Sequence, residues 1–88
     1  MASPEHCRKE FDKVSRKRGR NTKFDELCAL LEMHGWTLHQ IAKNNHYVFV
    51  HSGYEGTVNI PKPRGGGDVL PVYCRHALQA IEEVAGYE

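Results

Sequence analysis

The chain has 88 residues, 40% of them apolar and 26% charged, with a net charge of +1. That supports one small soluble domain and excludes two. No apolar run approaches the roughly 20 residues of a membrane span, and the N-terminus carries no apolar stretch of the secretory-signal kind. The three cysteines, Cys7, Cys28 and Cys74, form no CxxC pair. This argues against a disulfide framework and a cysteine-rich zinc site, and points to a reducing cytoplasm.

Charge divides the chain unevenly. Residues 1–23 carry eight Lys/Arg and three Asp/Glu, a surplus of +5, whereas residues 24–88 carry four and eight, a deficit of −4. Residues 1–21 read as a basic, flexible extension: apolar residues are sparse, and Ser15–Arg20 is S-R-K-R-G-R. Such a segment buries too little to offset its ordering entropy, although a short helix over 5–14 could bring Phe11 and Val14 to the domain. A basic arm of this kind attracts phosphate backbones without sequence preference.

The domain proper spans 22–88. Thr22 with Asp25 three residues on resembles a capping box, and Phe24, Leu27, Cys28, Leu31 and His34 follow on one helical stripe closed by Gly35. The spacing predicts a helix over 23–34. Trp36–Ala42, His46–His51 and Thr57–Ile60 read as strands, the first two joined through an Asn-rich turn and the third stopped by Pro61. Residues 61–68 contain Gly65-Gly66-Gly67 and read as a flexible loop without the phosphate-loop pattern. Pro71 opens a second helix with Cys74, Ala77, Leu78 and Ile81 on its stripe, ended by Gly86. The order helix, three strands, helix predicts an α+β two-layer fold, an antiparallel meander with both helices on one face.

The chemistry is concentrated in β-strand parity. His46, Val48 and Val50 share one face of their strand; Tyr47, Phe49 and His51 share the other. The larger aromatic pair buries more area under the helices, which leaves His46 on the open face with Val48 and Val50 exposed beside it. A histidine exposed near Lys and Asn can act as a general acid or base near neutral pH. No serine lies in a nucleophile motif. His6 with Cys7, and His34 with His39, lack a spaced second pair, so neither a metal nor a cofactor is expected. Cys28, Cys74 and Trp36 read as packing residues.

Phe24 through Gly35-Trp36, then His46-x-x-Phe49-x-His51, Gly56-Thr-Val-x-Ile-Pro61 and a terminal helix resemble the HicA toxin family, the small RNase component of bacterial HicA–HicB toxin–antitoxin pairs. The resemblance covers about residues 22–86. It implies a fold like the double-stranded-RNA-binding domain and a ribosome-independent mRNA endonuclease of the bacterial cytoplasm. It also implies a HicB-like antitoxin that covers the active surface. Anchored on Phe49, the family motif Gly-Ser-His-His-x-Phe-x-x-His places its catalytic histidine on His46, its Gly-Ser on Asn44-Asn45 and its second histidine on Tyr47. The side chain of Asn44 and the loss of a titratable group at Tyr47 are departures expected to weaken turnover. RNA supplies its own nucleophile, so one histidine suffices for proton transfer, with phosphate held by cations and backbone donors. Lys43, Lys62 and Arg64, with Asn44 and Asn45, are the expected RNA contacts, and Arg16, Lys17, Arg18 and Arg20 the source of non-specific affinity. Two rival readings are a non-catalytic RNA-binding module of the same fold and a protein-interaction domain using the open sheet face.

Overall fold

A computed structural model of the chain describes residues 3–42 and 45–87. Along the chain run α1 (Pro4–Ser15), α2 (Phe24–Met33), β1 (Thr37–Ala42), β2 (His46–Val50), β3 (Val58–Pro61), a single 3₁₀ turn (Arg64–Gly66) and α3 (Pro71–Ala85). The strands form an open antiparallel sheet in the order β1-β2-β3. The fold is therefore α+β, with three helices where two were expected. Among the described residues no helix is long and apolar enough to cross a membrane.

The additional helix, α1, stands in place of a flexible extension and matches the option of a short helix over 5–14 that brings Phe11 and Val14 to the domain. Its start is well specified: the Ser3 hydroxyl accepts the His6 N–H at 3.2 Å, Pro4 occupies the first turn and Glu5 adds a carboxylate there. Cys7, Phe11 and Val14 lie on one stripe, and all three are buried. Phe11 packs 4.8 Å from the Tyr87 ring, the Cys7 thiol donates to the Met33 carbonyl at 3.4 Å, and the Arg8 guanidinium lies 4.5 Å from the centroid of the same Tyr87 ring. Three apolar side chains are enough here because the two ends of the domain supply their partners.

Tyr87 also receives α2. The His34 ring sits between the Leu30 carbonyl and the Tyr87 hydroxyl, each 2.8 Å away. A carbonyl only accepts, so Nδ1 carries the proton and Nε2 accepts from the tyrosine. The start of α2 lies one residue later than the sequence pattern indicates. Thr22 is buried and its hydroxyl donates to the Arg20 carbonyl at 3.0 Å, so it does not cap the helix. Lys23 is the capping residue, and its N–H donates to the Glu26 carboxylate at 3.4 Å. The Thr22 carbonyl is engaged elsewhere, accepting the Val69 N–H at 2.9 Å.

One core joins the layers. Phe49, Val58 and Ile60 from one sheet face meet Leu27, Leu30 and Leu31 of α2 and Ala77, Ala80 and Ile81 of α3, with Trp36 closing one end at 2% exposure. Register pairs Phe49 with Val58 and Tyr47 with Ile60, so the buried positions of β2 and β3 coincide. The helices leave β1 uncovered. Leu38 and Ile41 pair with Phe49 and Tyr47, yet they are 40% and 53% exposed. An irregularity between Leu38 and Gln40 inserts His39 as an unpaired residue, which keeps both apolar side chains on one face.

Val48 corrects a second expectation. It lies on the face away from the helices and outside the core cluster, yet it is 7% exposed. As the middle position of the central strand it is flanked by Gln40 on β1 and Asn59 on β3, whose side chains shield it. Val50 is half-buried. The open face is therefore not the exposed apolar patch that a protein-interaction reading required.

Truncating Phe11 to alanine removes the main anchor of α1. Urea denaturation is expected to show a loss of about 3 kcal/mol, the usual scale for a buried aromatic. A midpoint unchanged from wild type would return residues 1–21 to the status of a tail.

Candidate nucleic-acid interface

The site is assembled where β2 begins and β3 ends. His46 pairs with Pro61, and the Lys62 N–H donates to the Asn45 carbonyl at 2.9 Å. Asn45 holds φ at +58°, a left-handed conformation that asparagine tolerates better than most residues. Proline has no N–H, so the ladder stops at Pro61 and the chain turns away with Lys62 beside Asn45.

Alternation along β2 then divides the side chains. Tyr47 and Phe49 face the helices; Tyr47 meets the Phe24 ring edge-on at 4.8 Å. His46 is half-buried and points to the opposite, helix-free face. Among the described residues its ring makes no side-chain hydrogen bond or ion pair. Tyr47, the position matched to the second histidine of the family motif, therefore does not stand beside His46.

Lys62 is exposed, and its ammonium lies 5.7 Å from the centroid of the Phe24 ring. With Lys23, Pro63 and the three glycines it borders a cleft of about 320 Å³ at the start of α2. Gly65 and Gly66 take φ of +72° and +74°, so this loop is an ordered turn that only glycine adopts without strain. Arg64 is exposed on the same turn. The wall opposite is tied down by Lys23, whose ammonium reaches the Asp68 carboxylate at 2.8 Å across an isolated β-bridge.

The backbone joins Asn45, His46 and Lys62 at one strand end, with Arg64 on the turn that follows; the Lys62 ammonium lies over Phe24 on the helix side, whereas the His46 side chain faces away from the helices. Lys43 and Asn44 lie outside the described residues. The remaining expected contacts sit in the turn after α1 and differ from one another. The Lys17 ammonium binds both Glu26 carboxylate oxygens, at 2.9 and 3.0 Å, and the Asn21 carbonyl at 3.2 Å. Its charge is thus matched within the fold. Arg16, Arg18 and Arg20 are exposed. Sequence reasoning missed Lys23, which read only as the first residue of the helix over 23–34. It also assigned Phe24 to the core stripe, although Phe24 is half-buried and walls the cleft.

The thiol nearest this region is inert. Burial, reinforced by Glu32 and Asp25 and opposed by Lys62, pushes the half-buried Cys28 thiol up to about 12, and burial also raises that of Cys74. Neither is poised as a nucleophile, which requires a lowered value.

Scans against models of known protein families, against curated proteins and against solved structures each returned no match to the chain.

The raised thiols contribute to the alkaline behaviour of the fold. With the folded value of Cys28 near 12 and the ordinary value at 9.0, the unfolded chain loses its proton first as pH rises. Stability is expected to be unaffected by this group below about pH 8.5 and to fall from there toward pH 12. Thermal unfolding followed across that window should show a shallower decline in Cys28→Ala than in wild type; identical slopes would mean that Cys28 does not contribute.

Proposed function

We propose that the chain is a HicA-type RNA endonuclease in which His46 is the general acid/base, and that its helices and sheet form an arrangement like the double-stranded-RNA-binding domain. The observation that carries the reading is the placement of His46 on the helix-free sheet face, beside Asn45 and on the strand end next to Lys62. The sequence resemblance over residues 22–86 puts the catalytic histidine at the same position.

The reaction needs little from the protein. The ribose 2′-oxygen attacks the adjacent phosphorus, the bond to the 5′-oxygen of the next nucleotide breaks, and a 2′,3′-cyclic phosphate forms. One proton leaves the 2′-hydroxyl and one reaches the departing oxygen. A single imidazole can perform either transfer, a contribution of roughly 10²–10⁴-fold. Lys62 and Arg64 supply positive charge for the pentavalent phosphate, whose negative charge grows in the transition state. Asn45 fixes the strand end that presents the imidazole. In this reading the protein acts in the bacterial cytoplasm, its substrate is mRNA, and a HicB-like antitoxin restrains it by covering this face.

Purified wild type is expected to cleave RNA in the absence of ribosomes and to leave cyclic-phosphate or 3′-phosphate ends. His46→Ala should cut the rate by at least about 10²-fold while leaving the unfolding midpoint in place. Undiminished cleavage by His46→Ala, or products ending in 3′-hydroxyl groups, would overturn the assignment. RNA binding without cleavage by the wild type would favour a non-catalytic module.

A further inference from the structure

Between the turn that follows α1 and the outer stripe of α3 lies a second cleft, of about 480 Å³. Arg18 and Arg20 reach it from the turn and Arg75 from α3, above a floor formed by the largely buried Leu78. Among the described residues none of these three arginines has a carboxylate partner. The contrast with their neighbours is informative: Lys17 is paired with Glu26 and Lys23 with Asp68. Where the fold needs a cation held, it provides an anion. This cleft is lined by three guanidinium groups and one carboxylate, that of Glu82, and among the described residues none of the three is paired with it.

The turn is held against α3 by a close backbone contact. Gly19 is buried at φ +82°, and a Cβ there would stand 3.0 Å from the Pro71 carbonyl oxygen and 3.1 Å from Arg75 Cγ. Only glycine permits this approach, which places Arg18 and Arg20 beside Arg75. Arg18 itself takes φ +54°, an uncommon conformation for a residue with a side chain. The arginines are thus presented by ordered backbone.

A relay of contacts links the turn beside the cleft to the strand end that carries His46, although this cleft shares no lining residue with the one at the start of α2. Asn45 bonds Lys62, Lys62 lies near Phe24, and Lys23 pairs with Asp68. Thr22 bonds Val69, and Gly19 contacts Pro71 at the start of α3. The beginnings of β2, α2 and α3 and the end of β3 therefore meet at one end of the molecule, with Lys62 and Arg64 on one side and the arginine cleft on the other.

We infer that this cleft is a second backbone-phosphate site, which holds the same RNA at a distance from the linkage that His46 addresses. The inference rests on the ribonuclease reading for the identity of the polyanion, and it adds Arg75, a residue outside the basic N-terminal segment. Guanidinium forks suit phosphate oxygens, and Ser15 and Gln79 on the cleft wall offer neutral hydrogen-bonding groups. Glu82 lines the far end, two turns beyond Arg75, roughly 10 Å along the helix. It repels phosphate and limits the path, so the backbone enters from the side of the turn. A continuous polyanion spanning both regions uses all of these cations, whereas a short acidic peptide seated in the cleft uses none of those beyond it.

Binding of a short labelled RNA to full-length His46→Ala, which leaves the RNA uncut, tests this separately from cleavage. Adding Arg20→Ala and Arg75→Ala should weaken binding about tenfold or more and lower the slope of log affinity against log salt by about 1.5. Arg75→Lys with Arg20→Lys should restore most of the slope, since charge is what counterion release reads. On the otherwise wild-type chain the alanine pair should raise KM and leave kcat unchanged. Unchanged affinity and slope would overturn the inference while leaving the His46 assignment standing. Arginine-dependent RNA binding by a chain that never cleaves would uphold the cleft and remove the ribonuclease reading. Arginine-dependent binding of oligoglutamate, with RNA affinity indifferent to the same substitutions, would assign the cleft to a protein partner instead.

Discussion

The alternation of β2 is the constraint on which the site depends. A strand that must bury Phe49 and pack Tyr47 against Phe24 has no freedom in where it sends residue 46. The two aromatic positions face Val58 and Ile60 across the β2–β3 pairing, and those residues are fully buried beneath the helices. Slipping the register by one residue would bring the imidazole inward and expel both rings, at a cost of several kcal/mol in lost apolar burial. The orientation of His46 is thus secured by its neighbours, without a side-chain hydrogen bond to the ring among the described residues. A proton-transfer group benefits from this arrangement because its nitrogens stay available.

A second constraint acts at the other side of the domain. Tyr87, near the C-terminus, is contacted by Phe11 and Arg8 of α1 and by His34 at the end of α2. These contacts convert a polar segment into a structural helix. They also determine where the basic run after α1 emerges, because a helix that ends at Ser15 leaves only a short connection to Thr22. Within that connection Gly19 is pressed against α3 and Lys17 is held by Glu26. What read as a diffuse positive tail is a turn of fixed course, with its charges sorted into matched and unmatched ones.

The elements that were legible in the sequence are those whose signal is local. The stripe from Phe24 to Leu31, the β-branched and aromatic run from His46 to Val50, and the Pro71-to-Gly86 segment each carry their own periodicity, and their boundaries fall within a residue or two of the observed ones. The direction of His46 followed from the same local rule. Features that escaped are set by distant partners. The helix over 5–14 was legible only as an option beside a flexible extension, because Cys7, Phe11 and Val14 form a narrow stripe diluted by charge and the ring that receives Phe11 is that of the distant Tyr87. Thr22 has the chemistry of a cap but is drawn inward, where its carbonyl meets Val69. Val48 alternates correctly yet is shielded by Gln40 and Asn59, a consequence of lying in the central strand. Arg75 carries no sequence mark that separates it from any solvent-facing helix residue; only the approach of Gly19 gives it company.

The ion pairs at this end of the molecule position the chain more than they stabilise it. Lys23–Asp68 is open to solvent, where a pair contributes at most about 1 kcal/mol, and Lys17–Glu26 is partly buried. Their geometric effect is larger. One joins the start of α2 to the segment leading into α3, and the other joins α2 to the turn after α1. The same four residues could have been neutral without much loss of stability, but the turn and the glycine loop would then have fewer fixed points. In the proposed reaction this distinction matters, because effective charge on a phosphate depends on how little the cation must reorganise when the substrate arrives. Matched cations brace the backbone, and that bracing fixes the turns that carry the cations left unmatched among the described residues, Lys62 and Arg64 on one and Arg18 and Arg20 on the other.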